Sequence, residues 1–133
     1  MSNPAYSKRR RDPPIWEGPR VAEFWDVTGF DPVRQSKVLL LLDAMDWPRL
    51  VVFMYDGSDR LVAPFVIGVS SDGNPLLRGY QLEGNSRSGK GEGWRVFQVD
   101  KIENLFDHQE FFYPDDFDFD QFYPWVYKVY KML

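Results

Sequence analysis

Asn74-Pro75-Leu76-Leu77-Arg78-Gly79-Tyr80-Gln81-Leu82-Glu83 and Trp94-Arg95-Val96-Phe97-Gln98-Val99 are two short β-type runs flanking a polar, glycine-rich connection over 84–93. Successive side chains of a strand point to opposite faces. Arg78 and Tyr80 therefore share one face of the first run, and Arg95, Phe97 and Val99 share one face of the second. If the runs pair across the connection, cationic and aromatic groups are expected to converge. A guanidinium grips phosphate with two parallel hydrogen bonds and stacks on rings, and nucleobases stack on aromatic side chains. The alternative is that both arginines lie on the solvent side of a Phe/Trp core.

Working outward, residues 50–55 (LVVFMY) form another β-rich run, and Asp56-Gly57-Ser58-Asp59 predicts a turn, since Asp-Gly is among the strongest hairpin dipeptides. Residues 60–67 return, with Pro64 marking a sheet edge or a bulge. Ser71-Asp72-Gly73-Asn74 predicts the next turn. Residues 31–46 predict a helix: Asp31 suits the N-cap and Pro32 the first helical position. The pairs Val38/Leu42 and Leu41/Met45 repeat at i, i+4, and Trp47-Pro48 ends the pattern. One helix and several short, near-regularly spaced strands point to an α+β, mainly β fold, a small antiparallel sheet or barrel.

The 133 residues suit a single domain with a tail. Residues 1–20, with four prolines and Lys8-Arg9-Arg10-Arg11, read as a flexible basic arm, and 21–133 as one domain. Within it the helix takes about 31–46, the β-barrel about 49–110, and an aromatic, acidic extension about 111–133. In the segment after Glu103 the rings are expected to dock on the body while the carboxylates face water. Residues 125–133 fit a helix through Val126, Val129 and Tyr130, or a strand through Trp125, Tyr127 and Val129; the helix is favoured, so the extension is expected to be helical or irregular.

Composition narrows the chemistry. There is no cysteine, which removes disulfides, thiolate metal sites and cysteine nucleophiles. The longest apolar run, 50–55, is far below the roughly 20 residues of a membrane helix. No apolar leader follows Met1, so a cytoplasmic protein without a membrane partner is expected. The net charge of −4 is uneven: residues 1–20 carry five basic against two acidic groups, and residues 102–133 two against seven. The balance speaks against general duplex binding but leaves room for a local basic pocket.

Gly84-Asn85-Ser86-Arg87-Ser88-Gly89-Lys90-Gly91 nearly matches a phosphate-binding P-loop. Gly91 stands where the magnesium-binding hydroxyl belongs, and a β run follows instead of a helix. The loop is better read as a hairpin connection whose Arg87 and Lys90 close over an anionic ligand. Asp116-x-Asp118-x-Asp120 starts like a calcium loop, but Gln121 and Tyr127 occupy the positions that need Gly and Glu. His108 is the single histidine, too little for the usual zinc site. No nucleophile elbow is present. The expectation is therefore a protein that is not an enzyme, with no metal and no cofactor.

Taken in order, the β runs resemble the WYL domain, an SH3-like or Sm-like β-barrel of bacterial transcription factors and phage-defence regulators. The resemblance covers roughly 50–120. It rests on Tyr55, Arg60-Leu61-Val62-Ala63-Pro64, Leu77-x-Gly79-Tyr80, Arg95-x-Phe97-x-x-Asp100-Lys101-Ile102, and the aromatic-proline-acid segment 111–117. The naming tripeptide falls at Pro75-Leu76-Leu77, where only leucine is kept, and Lys101 stands for the usual arginine. The resemblance implies a small antiparallel SH3/Sm-like barrel serving as a stand-alone ligand-binding or regulatory module. Its ligand would be a nucleotide or single-stranded nucleic acid, held by Arg78, Tyr80, Arg95 and Lys101 with Arg87 and Lys90 from the loop. The competing expectation is a protein-interaction module that engages a partner through the aromatic and acidic segment 111–130. A homodimer is compatible with either.

Overall fold

The computed structural model describes residues 29–84, 91–118 and 128–133, with the side chains of 128–131 left aside. The predicted basic arm, Arg87, Lys90, Asp120 and Trp125 lie outside the described residues. Among the described residues no helix is long and apolar enough to cross a membrane.

Helix α1 spans Pro32–Asp46, as its cap signals predict. The Asp31 carboxylate accepts from the Arg34 amide at 2.9 Å, satisfying one of the free N–H groups of the first turn. Trp47, before Pro48, leaves the helix in an extended conformation. Val38, Leu41, Leu42, Ala44 and Met45 form its buried stripe.

Six strands follow: β1 (Arg49–Tyr55), β2 (Ser58–Val69), β3 (Pro75–Glu83), β4 (Gly93–Gln98), β5 (Glu103–Phe111) and β6 (Lys128–Met132). They form one antiparallel sheet in the order β4-β3-β2-β1-β5, with β6 also paired to β2. The β1–β2 hairpin closes on Asp56 and Gly57, both with positive φ (51° and 81°), and Tyr55 faces Ser58. Two such residues give the loop a twist that matches that of the strands.

β2 is the centre of the sheet. One of its margins carries β3 at Leu61–Val69, while the other carries β1 at Ser58–Val62 and β6 at Val66–Val69. Its register against β3 shifts between Pro64 and Val66, leaving Phe65 as an extra residue. The bulge expected at Pro64 is thus present, and it bends β2 enough to serve two neighbours. From Val62 onward β2 is buried on both faces.

The fold is therefore mainly β with one preceding helix, but the sheet is open rather than a closed barrel. β4 and β5 end its main path, and β6 lies off that path beside β2. The three-residue 3-10 turn Val99–Lys101 carries the chain away from β4, and β5 pairs with β1 instead. The favoured C-terminal helix is also replaced, over Lys128–Met132, by a strand. The open margin of β2 at Val66–Val69 accepts it, and Val129 and Tyr130 are strand-favouring residues. Among the described rings of the extension, Phe112 and Phe117 dock as expected, whereas Phe111 stays 37% exposed; Asp115 and Asp118 are exposed, while one carboxylate oxygen of Asp116 is buried.

Polar ties hold the layers in register. Arg49 on β1 donates to Asp107 on β5 (2.7 Å) and to the carboxylate of Asp43 on α1 (2.8 Å). Arg34 on α1 clasps Asp100 in the 3-10 turn.

Candidate functional site

The β3–β4 pairing forms as predicted, but its register separates the arginines. Arg78 faces Val96, Gly79 faces Arg95, Tyr80 faces Trp94 and Leu77 faces Phe97. Residues directly opposite each other in a ladder share a face. Arg78 and Tyr80 therefore stand with Trp94 on one face, and Arg95 stands with Phe97 and Leu77 on the other. The expected convergence does not occur.

The Arg78 face, called outer here, is used internally at this point. The Arg78 guanidinium lies 5.4 Å from the centre of the Trp94 ring. Tyr80 meets Trp94 and Phe117 at 5.3 and 5.2 Å, and Phe65 meets Trp94, Phe112 and Phe117 at 4.9, 5.5 and 5.4 Å. All but the tilted Phe65–Phe112 pair are edge-on, which suits the ring quadrupoles. Trp94 Nε1 donates to the Asp118 carbonyl at 3.1 Å, and the Tyr80 hydroxyl donates to Glu92 at 2.9 Å. The rings that resembled a stacking platform are covered by the chain's own 112–118 segment. Lys101 is exposed in the 3-10 turn beyond the far end of β4, apart from this cluster.

The inner face holds a group that sequence reading passed over. Arg60 directly faces Phe53 and is only 6% exposed. Its Nε donates to Ser58 Oγ (2.9 Å), Nη2 to the Tyr55 carbonyl (2.9 Å) and Nη1 to Gln81 Oε1 (3.0 Å). Gln81 is fully buried and passes the chain of bonds on by donating to the Gly91 carbonyl. All these acceptors are neutral. Among the described residues no carboxylate comes within ion-pair distance of Arg60. A buried charge without a counter-charge is costly, so its retention needs a reason.

Arg95 stands beside this network. Gly93 faces Gln81, and Arg95 Nη1 lies 3.0 Å from where a Cβ on Gly93 would sit. The half-buried Arg95 thus folds back over Gly93, the residue that faces Gln81, with Nη1 donating to the Trp94 carbonyl at 3.0 Å. Gly84 completes the arrangement. A Cβ there would lie 2.8 Å from the Arg60 side chain and 2.8 Å from the Asp59 carbonyl, and its φ is +136°. Glycine lets the chain leave β3 directly across Arg60. The connection that starts at Gly84 and ends at Gly91 is the one whose sequence carries Arg87 and Lys90.

Of the predicted residues that the structure describes, Arg95 alone stands beside the buried polar network. One available signal could have found Arg60: a two-residue Asp56-Gly57 hairpin pairs it with Phe53 and sets it on the face of Val62. The other motifs find ordinary settings. Strand β4 follows the glycine-rich loop, which leaves no helix N-terminus for a nucleotide phosphate. His108 Nε2 lies 3.2 Å from Glu110 on β5.

Compared with known proteins, the chain matches no family model, no curated protein and no solved structure.

Proposed function

We propose that this chain is a non-catalytic, WYL-like ligand-binding or regulatory module. It takes a nucleotide or single-stranded nucleic acid at the end of the inner face that carries Arg60, Gln81 and Arg95. The observation that supports the reading is Arg60, 6% exposed and bonded only to neutral acceptors, beside Gln81, which faces the Gly93 that Arg95 folds back over. An anionic phosphate would supply the missing negative charge, and its bonds to guanidinium are strong because both partners are charged. Arg95, half-buried, is the residue that would turn to the phosphate. Arg60 contributes its field and fixes Gln81. Arg78, Tyr80 and Lys101 have no part in this site.

The test is a thermal-shift screen of the full chain against mononucleotides, cyclic dinucleotides and short single-stranded RNA and DNA. A ligand at about 100 times its dissociation constant stabilises by about 2.7 kcal/mol, roughly 10 °C for a domain of this size. The shift should vanish in Arg95→Ala, shrink in Arg95→Lys, and persist in Arg78→Ala on the other face. No shift with any of these ligands, or an equal shift in Arg95→Ala, overturns the reading.

A further inference from the structure

The part of the outer face that the 112–118 segment leaves uncovered has a composition of its own. Val52 on β1 faces Leu61 on β2 and Phe106 on β5, so one apolar row crosses three strands. Leu61 in turn faces Glu83 on β3. The neighbouring row has Met54 at its centre, with Asp59 on one side and Glu103 on the other. Phe106 is 51% exposed, and Val52, Met54 and Leu61 are half-buried. Asp59, Glu83 and Glu103 are exposed, and among the described residues no Lys, Arg or His lies within ion-pair distance of them. A large exposed phenylalanine continuous with other apolar side chains and rimmed by charge is the usual composition of an interaction site.

We infer that this face docks a basic amphipathic segment of another protein. The apolar row supplies contact area, and three carboxylates of one sign select the partner's charge. Like charges on a partner would be repelled, so the face discriminates as well as attracts. The row from Phe106 to Glu83 crosses four strands. At about 4.8 Å per strand that is about 14 Å, the length of about nine or ten helical residues. A short helix with leucine-like residues on one side and Lys or Arg flanking them fits these dimensions. So small a contact gives weak, salt-sensitive binding. The inference stands apart from the inner-face ligand, since it uses the opposite face and none of the same residues.

The experiment titrates isotope-labelled full chain with a synthetic helical peptide of leucine and lysine in amphipathic order, and reads backbone amide shifts. A peptide with glutamate in place of lysine is the control. Shifts should gather at Val52, Leu61, Glu83 and Phe106. Phe106→Ser should weaken binding at least tenfold. The pair Glu83→Lys and Glu103→Lys should weaken it at least fivefold, whereas Asp72→Lys with Asp115→Lys, equal in net charge but elsewhere, should leave it unchanged. Absence of binding, shifts centred on other residues, equal binding of the glutamate peptide, or equal loss in the distant charge pair each overturns the inference. Sedimentation of the chain alone completes the test: a dimer that Phe106→Ser dissolves assigns the face to a second copy, which also overturns it.

Discussion

Arg34 and Asp100, 66 residues apart, form a two-pronged ion pair: Arg34 Nε donates to one carboxylate oxygen at 2.8 Å and Nη2 to the other. Arg34 Nη2 also reaches Asn74 at 3.3 Å, and its guanidinium lies 5.3 Å from the Phe30 ring centre. The pair fastens the first turn of α1 to the 3-10 turn between β4 and β5.

Its hydrogen bonds to Arg34 hold the Asp100 carboxyl below the ordinary value of 3.8, against the opposing effect of partial burial. A carboxyl depressed in the folded state adds stability above its unfolded value, and that share is lost as the pH falls through the folded value. Urea midpoints of wild type and Asp100→Asn should therefore differ at pH 7, by about 0.5 kcal/mol for a pair this exposed, and draw together below pH 4. High salt should also narrow the gap. A gap that stays constant into acid would show that the pair adds no acid-sensitive stability.

Gly79→Ala should cost about 1–3 kcal/mol through overpacking. The added Cβ would lie 2.6 Å from Val62 Cγ1 and 2.7 Å from the Ala63 carbonyl, and the latter is backbone that β2 cannot release. Chemical denaturation measures this directly. An unchanged midpoint would mean that β2 and β3 are further apart than described.

Two phenylalanines in the same region give opposite expectations. Phe112 is fully buried between Phe65 and Phe117, so Phe112→Ala should cost about 3–5 kcal/mol and undock the segment beneath Trp94. Phe106 stands out from β5, so Phe106→Ala should change stability by less than about 0.5 kcal/mol. Thermal unfolding followed by tryptophan fluorescence separates the two. Similar losses at both sites would show that the outer face is buried more evenly than described.

Strong local signals made most of the fold legible. Asp31-Pro32 placed the start of α1, Asp56-Gly57 the first hairpin, and Ser71 to Asn74 the second, where Gly73 has a φ of 79°. The fifth strand carries no such pattern. Its side chains are mostly exposed on both faces, and positive φ at Asn104 and Gln109 breaks the alternation that marks a strand. The candidate site was harder still. Whether Arg78 and Arg95 share a face depends on the parity of the β3–β4 register, and a shift of one residue reverses it. A glycine-rich connection leaves that parity undetermined. Arg60 beside a polar turn reads as a solvent residue until the hairpin is closed and Phe53 is found opposite it.

The irregularity of β5 also bears on how the protein behaves in a crowded solution. An outermost strand normally displays a straight row of unpaired N–H and C=O groups, which is a template for fibril growth. Here the left-handed residues Asn104 and Gln109 (φ 53° and 60°), together with two register shifts against β1, break that row into short pieces. The open sheet thus keeps, at β5, a margin that another chain cannot easily extend, through two residues that lie outside the buried core.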